Sequence, residues 1–289
     1  MNKILGFSTL GFVLLVAVYS NANYFIFAHT FSGGESATLL TKVEMMKIES
    51  LLAQKDLASN ATIAKEHAEH LTEHITANDT KEINERNPRL ATELNKTFSD
   101  FVKTFESQSP SESAVKDKAG NLDDVLAEVV SARIDKQQLD NVTVKAQVVN
   151  DLVGETLEHY NSSLGMSEAS HDKNNTSSSN SNETKIMDRA DYESAQGAVT
   201  RAIDLYNEIK PSGNANSTEL VNALNSLKEK IDSKSPFDQA DKIVDDKITP
   251  MLNDMFKLKL AVEEDHGGAG GEVHSAEGEH TSSGNDTHK

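Results

Sequence analysis

The residues best suited to chemistry are three histidines in the segment EHAEHLTEH. His67, His70 and His74 are spaced three and four residues apart, and on an α-helix they would lie within an arc of about 60°. Ile63 and Leu71 fall beside that arc and the glutamates of the segment fall opposite, so we predict that the imidazoles lie at the boundary between core and solvent. Neutral imidazoles at such a boundary are suitable ligands for a borderline transition metal.

Two further histidines could complete a metal site. His159 falls on the edge of the apolar face of a helix predicted over residues 137–164, which makes it the best candidate for a ligand from a second helix. His29 would become the first residue if a leader were cleaved after Ala28, and its amine and ring could then chelate copper as a histidine brace. The alternatives are that His159 packs as a half-buried side chain and that His29 begins a flexible leader.

The C-terminal residues 265–289 are rich in Gly, Ser, Glu and His and are predicted to be disordered. Four histidines recur there every six to eight residues, next to or near acidic residues: His266, His274, His280 and His288. Such a composition chelates metal weakly and without fixed geometry. The tail is therefore either a loose metal-capturing segment or a purely solubilising one.

Composition and motifs exclude several classes of function. The net charge of -18 argues against nucleic acid as a partner, because phosphates require a basic surface. The absence of cysteine excludes disulfides and thiolate metal sites. The sequence lacks HExxH, GxSxG and a phosphate-binding glycine loop, and no Glu precedes His67, His70, His74 or His159 by three residues as a di-iron bundle would require. We therefore predict no enzymatic activity and no nucleotide ligand.

The fold is predicted to be all-α. Aromatic residues make up only 5% of the chain and tryptophan is absent, whereas strands favour aromatic and β-branched side chains. Ser36 is a plausible N-cap for the first helix, and Pro88 should break the third or start it afresh. The apolar patterns predict helices over residues 36–58, 62–77, 81–105, 110–134 and 137–164.

The chain begins with an unbroken apolar run from Ile4 to Val18, which has the length of a signal-peptide core and is short for a membrane span. We expect cleavage after Ala22 or Ala28, with an uncleaved membrane anchor as the alternative. The predicted parts are a signal peptide or anchor (1–28), a His-bearing helical bundle (29–166), an Asn/Ser-rich linker (167–185), a second helical bundle (186–264) and the tail (265–289).

The two predicted bundles share a sequence pattern at an offset of 126 residues. The tripeptide Thr-Glu-Leu starts both segments, at Thr92 and Thr218, and three phenylalanines of the first fall on Leu224, Leu227 and Ile231 of the second. This pattern indicates an internal duplication, with chance similarity of amphipathic helices as the alternative. At the same offset His67, His70 and His74 fall on Glu193, Gln196 and Thr200, so only one half carries the imidazoles.

Ten Asn-x-Ser/Thr sequons are more than chance would give and favour an exported, glycosylated chain. The acceptor positions are Asn60, Asn78, Asn95, Asn141, Asn161, Asn174, Asn175, Asn182, Asn216 and Asn285.

The motifs HTFSGGESA, VEMMKIE, EHAEHLTEH and KEINERNPRLATEL resemble uncharacterised secreted helical proteins of ammonia-oxidising archaea, over about residues 29–165. That resemblance implies a cell-surface setting in copper-dependent organisms. The repeated helical pairs are more loosely similar to the extracytoplasmic helical domains of iron permeases, although the membrane part of a permease is missing. Neither resemblance supplies catalytic residues.

These observations favour an extracellular or pseudoperiplasmic protein that captures, stores or delivers a metal ion, with copper expected first and zinc next. The expected ligands are His67, His70 and His74, completed by His159 or His29. A non-catalytic accessory or structural subunit docked on a membrane complex is the main alternative. An oxidoreductase built on a His29 copper brace is the second.

Overall fold

The computed structural model of the protein describes residues 33–107, 110–166, 184–213 and 215–258. All regular elements in these ranges are helices, which confirms the all-α prediction. None of these helices has both the length and the apolar character that crossing a membrane requires. The predicted leader with His29, residues 167–183 of the predicted linker, and the tail histidines His266, His274, His280 and His288 lie outside the described residues, as do the sequons at Asn174, Asn175, Asn182 and Asn285.

Apart from the segment between α7 and α8, the helices follow one another with short connections. Their bounds are α1 Gly33–Asp56, α2 Ala61–His70, α3 Ala77–Arg86, α4 Pro88–Thr104, α5 Glu112–Arg133, α6 Lys136–Leu139, α7 Val142–Ser163, α8 Arg189–Ile209, α9 Ala215–Asp232, α10 Phe237–Ile243 and α11 Thr249–Phe256. A π-helical turn, Val244–Ile248, joins α10 to α11.

Proline and capping residues explain several helix boundaries. Pro88 occupies the first turn of α4, as predicted, and the Asn87 side chain accepts a hydrogen bond from the backbone N–H of Leu90. The prediction that Ser36 caps the first helix is wrong, because α1 is already helical at Gly33 and Ser36 is buried within it.

The helix that carries the three histidines is shorter than predicted. It ends at His70, and His74 lies in the turn that follows. The cause is a competing helix start, since the Thr76 side chain caps α3 and the Asp79 carboxylate bonds back to the Thr76 backbone N–H. Lys42 of α1 also binds Asp79, so this turn is anchored to the first helix.

The apolar core consists of two clusters, and α1 contributes to both. Leu39, Val43 and Met46 face the cluster formed with α2, α3, α4 and α5. Met45 and Ile48 face the cluster formed with α7, α8, α9, α10 and α11. The long helix α1 therefore lies between two groups of helices.

The predicted linker does not coincide with a division of the core. Helix α7 precedes residues 167–185, yet it packs extensively against α8, which follows them. The buried Tyr160 hydroxyl of α7 also donates to the backbone carbonyl of Ser235, beyond α9. Two groups of helices are present as predicted, but α7 belongs to the second group by its contacts.

The segments aligned at the offset of 126 have similar local structure. Phe98 and Phe101 of α4 and their counterparts Leu224 and Leu227 of α9 are all buried. In each case a further helix follows a proline, Pro110 in the first segment and Pro236 in the second, and packs on the first helix. Because similar amphipathic hairpins arise without common origin, the internal duplication stays a prediction.

Replacing Asp79 by Ala should destabilise the protein by about 1–2 kcal/mol at neutral pH, because the cap of α3 and its tie to α1 are lost together. Burial tends to raise the pKa of Asp79, but the hydrogen bonds from Lys42 and Thr76 outweigh it and hold the pKa below 3.8. The stabilisation is therefore complete above about pH 4 and declines as the pH falls through the lower folded value. Urea unfolding across this range should show the wild type and variant converging in acid, and a constant difference would contradict the assignment.

Replacing Gly197 by Ala should also destabilise the protein, by up to about 2 kcal/mol. The added Cβ would overlap Ile48 Cγ2 of α1, and overpacking a stiff side chain costs about 1–3 kcal/mol, more than the gain of at most about 1 kcal/mol in helix propensity. The matched control is Gly154→Ala, where the Cβ meets no atom within 4 Å, and which should be neutral or stabilising. Thermal unfolding of both variants measures the difference, and equal stabilisation would refute the close approach of α1 and α8.

Candidate metal centre

Four parts of the chain converge on one buried cluster of ionisable side chains. Helix α1 supplies Glu49 and Asp56, and α2 with the following turn supplies the three closely spaced histidines. Helix α7 supplies His159, and α8 supplies Glu193. All of these side chains are of types that bind metal ions. They lie where α1 packs against α2 and α8.

His67 is at the centre of the cluster and is completely buried. Its ring Nδ1 lies 2.7 Å from Glu49 Oε2, which is also buried. An ionised carboxylate can only accept, so Nδ1 carries the hydrogen and donates it. Contrary to the predicted position at the solvent boundary, His67 is enclosed, because α1 and α8 cover it on the sides away from α2.

The other imidazoles also lie close to Glu49. One ligand atom each from Glu49, His74 and His159 lie within 4.8 Å of one another, and so do ligand atoms of Glu49, His67 and His70. The His159 ring centroid is 6.3 Å from that of His70 and 6.0 Å from that of His74. We call Glu49, His70, His74 and His159 the imidazole cluster.

Several polar atoms of the imidazole cluster are buried without a hydrogen-bond partner. They are Glu49 Oε1, His70 Nδ1 and His74 Nε2. Leaving such an atom unsatisfied costs about 1–3 kcal/mol. Their concentration at one place is the arrangement expected where a cation completes the set.

The electrostatic environment keeps potential ligands in the forms that bind metals. Burial lowers the pKa of His74 to about 4, so its ring is neutral at neutral pH. Burial alone would raise the pKa of Glu49, but its hydrogen bond and charge interaction with His67 outweigh this and hold the pKa below its ordinary value. A neutral imidazole and an ionised carboxylate are the metal-binding states of these groups.

His159 is oriented by a carboxylate outside the cluster. Its Nδ1 lies 2.9 Å from Asp191 Oδ1 of α8, so its Nε2 points away from Asp191. Burial tends to lower the pKa of His159, but the hydrogen bond to Asp191 and the charges of Glu49 and Glu155 raise it overall. A carboxylate that holds the far nitrogen of a histidine is a common feature of metal sites.

The structure therefore brings together His67, His70, His74 and His159, which the sequence singled out. The sequence alone does not identify Glu49, Asp56 and Glu193 as partners of these histidines. A signal for Glu49 exists, because it is four residues from Met45 and four from Ala53, both buried on the same helix. In the sequence, Glu193 is singled out only because it aligns with His67 at the offset of 126 residues. In the structure, its carboxylate lies 3.5 Å from the His67 ring.

The sequons in the described ranges are accessible to different degrees. Asn78, Asn95, Asn141 and Asn216 are exposed, whereas Asn60 and Asn161 are half-buried. The side-chain oxygens of Asn60 and Asn141 cap α2 and α7, so these two residues also have a structural role. Glycosylation at these positions stays a prediction.

Replacing Asp191 by Asn should lower the pKa of His159 in the metal-free protein. The variant removes the negative charge that stabilises the protonated ring, while burial continues to disfavour that form. NMR titration of the histidine ring signals measures the shift. The pKa of His74, which burial chiefly lowers to about 4, should change much less and is the internal control. An unchanged His159 value would show that the two side chains do not interact.

Comparison with known proteins gives no relative from which a function could be taken. The chain matches no known protein family, no curated protein and no solved structure.

Proposed function

We propose that the protein is an extracytoplasmic metal-binding protein that holds copper at the imidazole cluster for capture, storage or delivery. The observation that supports this most directly is that Glu49 belongs to two sets of close ligand atoms, one with His74 and His159 and one with His67 and His70. Glu49, His70 and His74 each also have a buried polar atom without a hydrogen-bond partner. Three helices and a turn position these side chains, so the arrangement does not depend on a single flexible loop.

A cation explains the cluster better than packing or buried water does. Water can satisfy unpartnered polar atoms, but it brings no charge to offset the buried carboxylate of Glu49. A neutral packing role would leave the unpartnered nitrogens of His70 and His74 at a cost of about 1–3 kcal/mol each. A divalent ion would satisfy these atoms and balance the carboxylate at once.

The ligand set favours copper, with zinc next. Imidazole nitrogens suit copper, zinc, iron and nickel, and among divalent ions of the first transition row copper binds such sites most tightly. The chain has no cysteine, so thiolate selection of other metals does not apply. The apolar leader and the ten sequons support a location outside the cytoplasm, and the tail histidines would add loose capture.

Titration of the purified full chain with Cu(II) against a competing chelator tests the proposal. The wild type should hold one Cu(II) tightly at the imidazole cluster. Replacing His70 by Ala should weaken this binding by more than the roughly 10–100-fold typical of a lost outer-shell partner, because a direct ligand is removed. His159→Gln removes a ligand from a different helix and should weaken binding in the same way.

The matched control is His171→Ala, which removes an imidazole from the predicted linker and should leave the tight site unchanged. Circular dichroism would establish that each variant is folded. Equal affinity of the wild type and both site variants would refute the imidazole cluster as the site. Absence of tight binding in the wild type would refute the metal-binding function and favour the accessory surface subunit.

A further inference from the structure

A second set of unpartnered ligand atoms lies on the opposite side of His67. His67 Nε2 is 3.7 Å from Asp56 Oδ2 and 3.5 Å from Glu193 Oε2. All three atoms are buried and lack a hydrogen-bond partner. We call Asp56, His67 and Glu193 the carboxylate pocket.

The outer oxygens of the two carboxylates are already engaged. Arg189 Nε lies 2.7 Å from Glu193 Oε1, and its Nη2 lies 3.5 Å from Asp56 Oδ1. Asp56 Oδ1 also accepts a hydrogen bond from the Ser59 hydroxyl. Arg189 and Ser59 therefore fix both side chains from outside and leave one oxygen of each directed at His67.

The bond between His67 and Glu49 determines which atom of the ring faces the pocket. Since Nδ1 donates its hydrogen to Glu49 Oε2 at 2.7 Å, the ring in its neutral form would present the lone pair of Nε2 to the two carboxylate oxygens. Three acceptors would then face one another with no donor between them. This arrangement is unfavourable unless a positive charge lies among them.

We infer that the carboxylate pocket is a second cation site, which takes a divalent ion of harder character than copper, such as Mn²⁺. The ligand atoms are Asp56 Oδ2, Glu193 Oε2 and His67 Nε2, which lie within 4.8 Å of one another. Carboxylate oxygens suit Mn²⁺, whereas a cluster of imidazoles suits copper. The two sites are joined by the Glu49–His67 hydrogen bond, so the chain would hold two unlike ions side by side.

The charges of the pocket support a divalent ion. Asp56 and Glu193 bring two negative charges, and the nearest cation, Arg189, has a side chain that is 53% exposed, so water screens its charge. One partly exposed arginine offsets two buried carboxylates incompletely, and an uncompensated buried charge costs several kcal/mol. The alternative is a proton on His67 Nε2, but the distances of 3.5 and 3.7 Å are longer than good charge-assisted hydrogen bonds.

The carboxylate pocket shares no residue with the imidazole cluster and is joined to it by the Glu49–His67 hydrogen bond. The test uses the full chain, first loaded with one equivalent of Cu(II) and then titrated with Mn²⁺. Electron paramagnetic resonance records the six-line signal of free Mn²⁺, which disappears on binding. One Mn²⁺ per chain should bind, and the Cu(II) signal should weaken as the second paramagnetic ion takes its place nearby.

The double variant Asp56→Asn/Glu193→Gln should lose Mn²⁺ binding at least tenfold while keeping its Cu(II). The matched control Glu44→Gln removes a carboxylate from the same α1–α8 interface, where Glu44 binds Arg201 at 2.6 Å, and should keep both ions. If the double variant does not fold, Glu193→Gln alone provides the comparison, because its amide oxygen can still accept from Arg189.

The outcomes separate the two proposals. Mn²⁺ that stays free beside a copper-loaded chain would overturn the second site and leave the copper site intact. Mn²⁺ bound equally by the double variant would be loose association with the acidic surface, and would also overturn it. If His70→Ala abolishes tight Cu(II) binding but leaves one Mn²⁺ bound, both sites are supported as separate. Loss of Mn²⁺ alone in the double variant supports the carboxylate pocket.

Discussion

The site depends on one buried hydrogen bond, between Glu49 of α1 and His67 of α2. Both side chains are completely enclosed, so neither group can exchange its partner for water. The bond uses Glu49 Oε2 and His67 Nδ1, and this choice directs the remaining atom of each group to a different side. Glu49 Oε1 is left without a hydrogen-bond partner, while His67 Nε2 lies close to Asp56 and Glu193. A single contact thus joins the imidazole cluster to the carboxylate pocket.

Such a concentration of buried polar atoms is expensive for a protein of ordinary stability. Six atoms around this bond lack partners, namely Glu49 Oε1, Asp56 Oδ2, His67 Nε2, His70 Nδ1, His74 Nε2 and Glu193 Oε2. At about 1–3 kcal/mol each, their cost is comparable with the typical net stability of a domain, about 5–15 kcal/mol. In the metal-free chain, burial of the apolar clusters on both sides must offset this unfavourable free energy. A tightly bound ion contributes on the order of 10 kcal/mol, enough to reverse it.

The parts of this arrangement that follow local rules could be predicted from the sequence. The helical class follows from composition, the start of α4 follows from Pro88, and the grouping of His67, His70 and His74 follows from their spacing. The end of α2 at His70 could not be predicted from its own residues. It is decided by the Thr76 cap and by the contact of Asp79 with Lys42 on α1, and that contact exists only in the folded chain.

The buried carboxylates were missed for a related reason. Glutamate and aspartate are rarely buried unless they are paired, so a helical pattern alone assigns them to the solvent face. The partner that makes burial of Glu49 tolerable, His67, lies on another helix. The His67–Glu193 contact likewise joins α2 to α8, and no local pattern contains it.

The position of α1 links the metal site to the two apolar clusters. The same helix contributes Val43 to one cluster and Ile48 to the other, and it carries Glu49 and Asp56 between them. The proposed ligands on α2 and α8 therefore meet those of α1 at the junction of the two groups of helices. Close packing at Gly197 brings α8 near enough for Glu193 to reach His67. Ion binding at this junction would stabilise the contact between both groups of helices. The free-energy cost of burying the ligands therefore affects the stability of the whole fold and not of one helix alone.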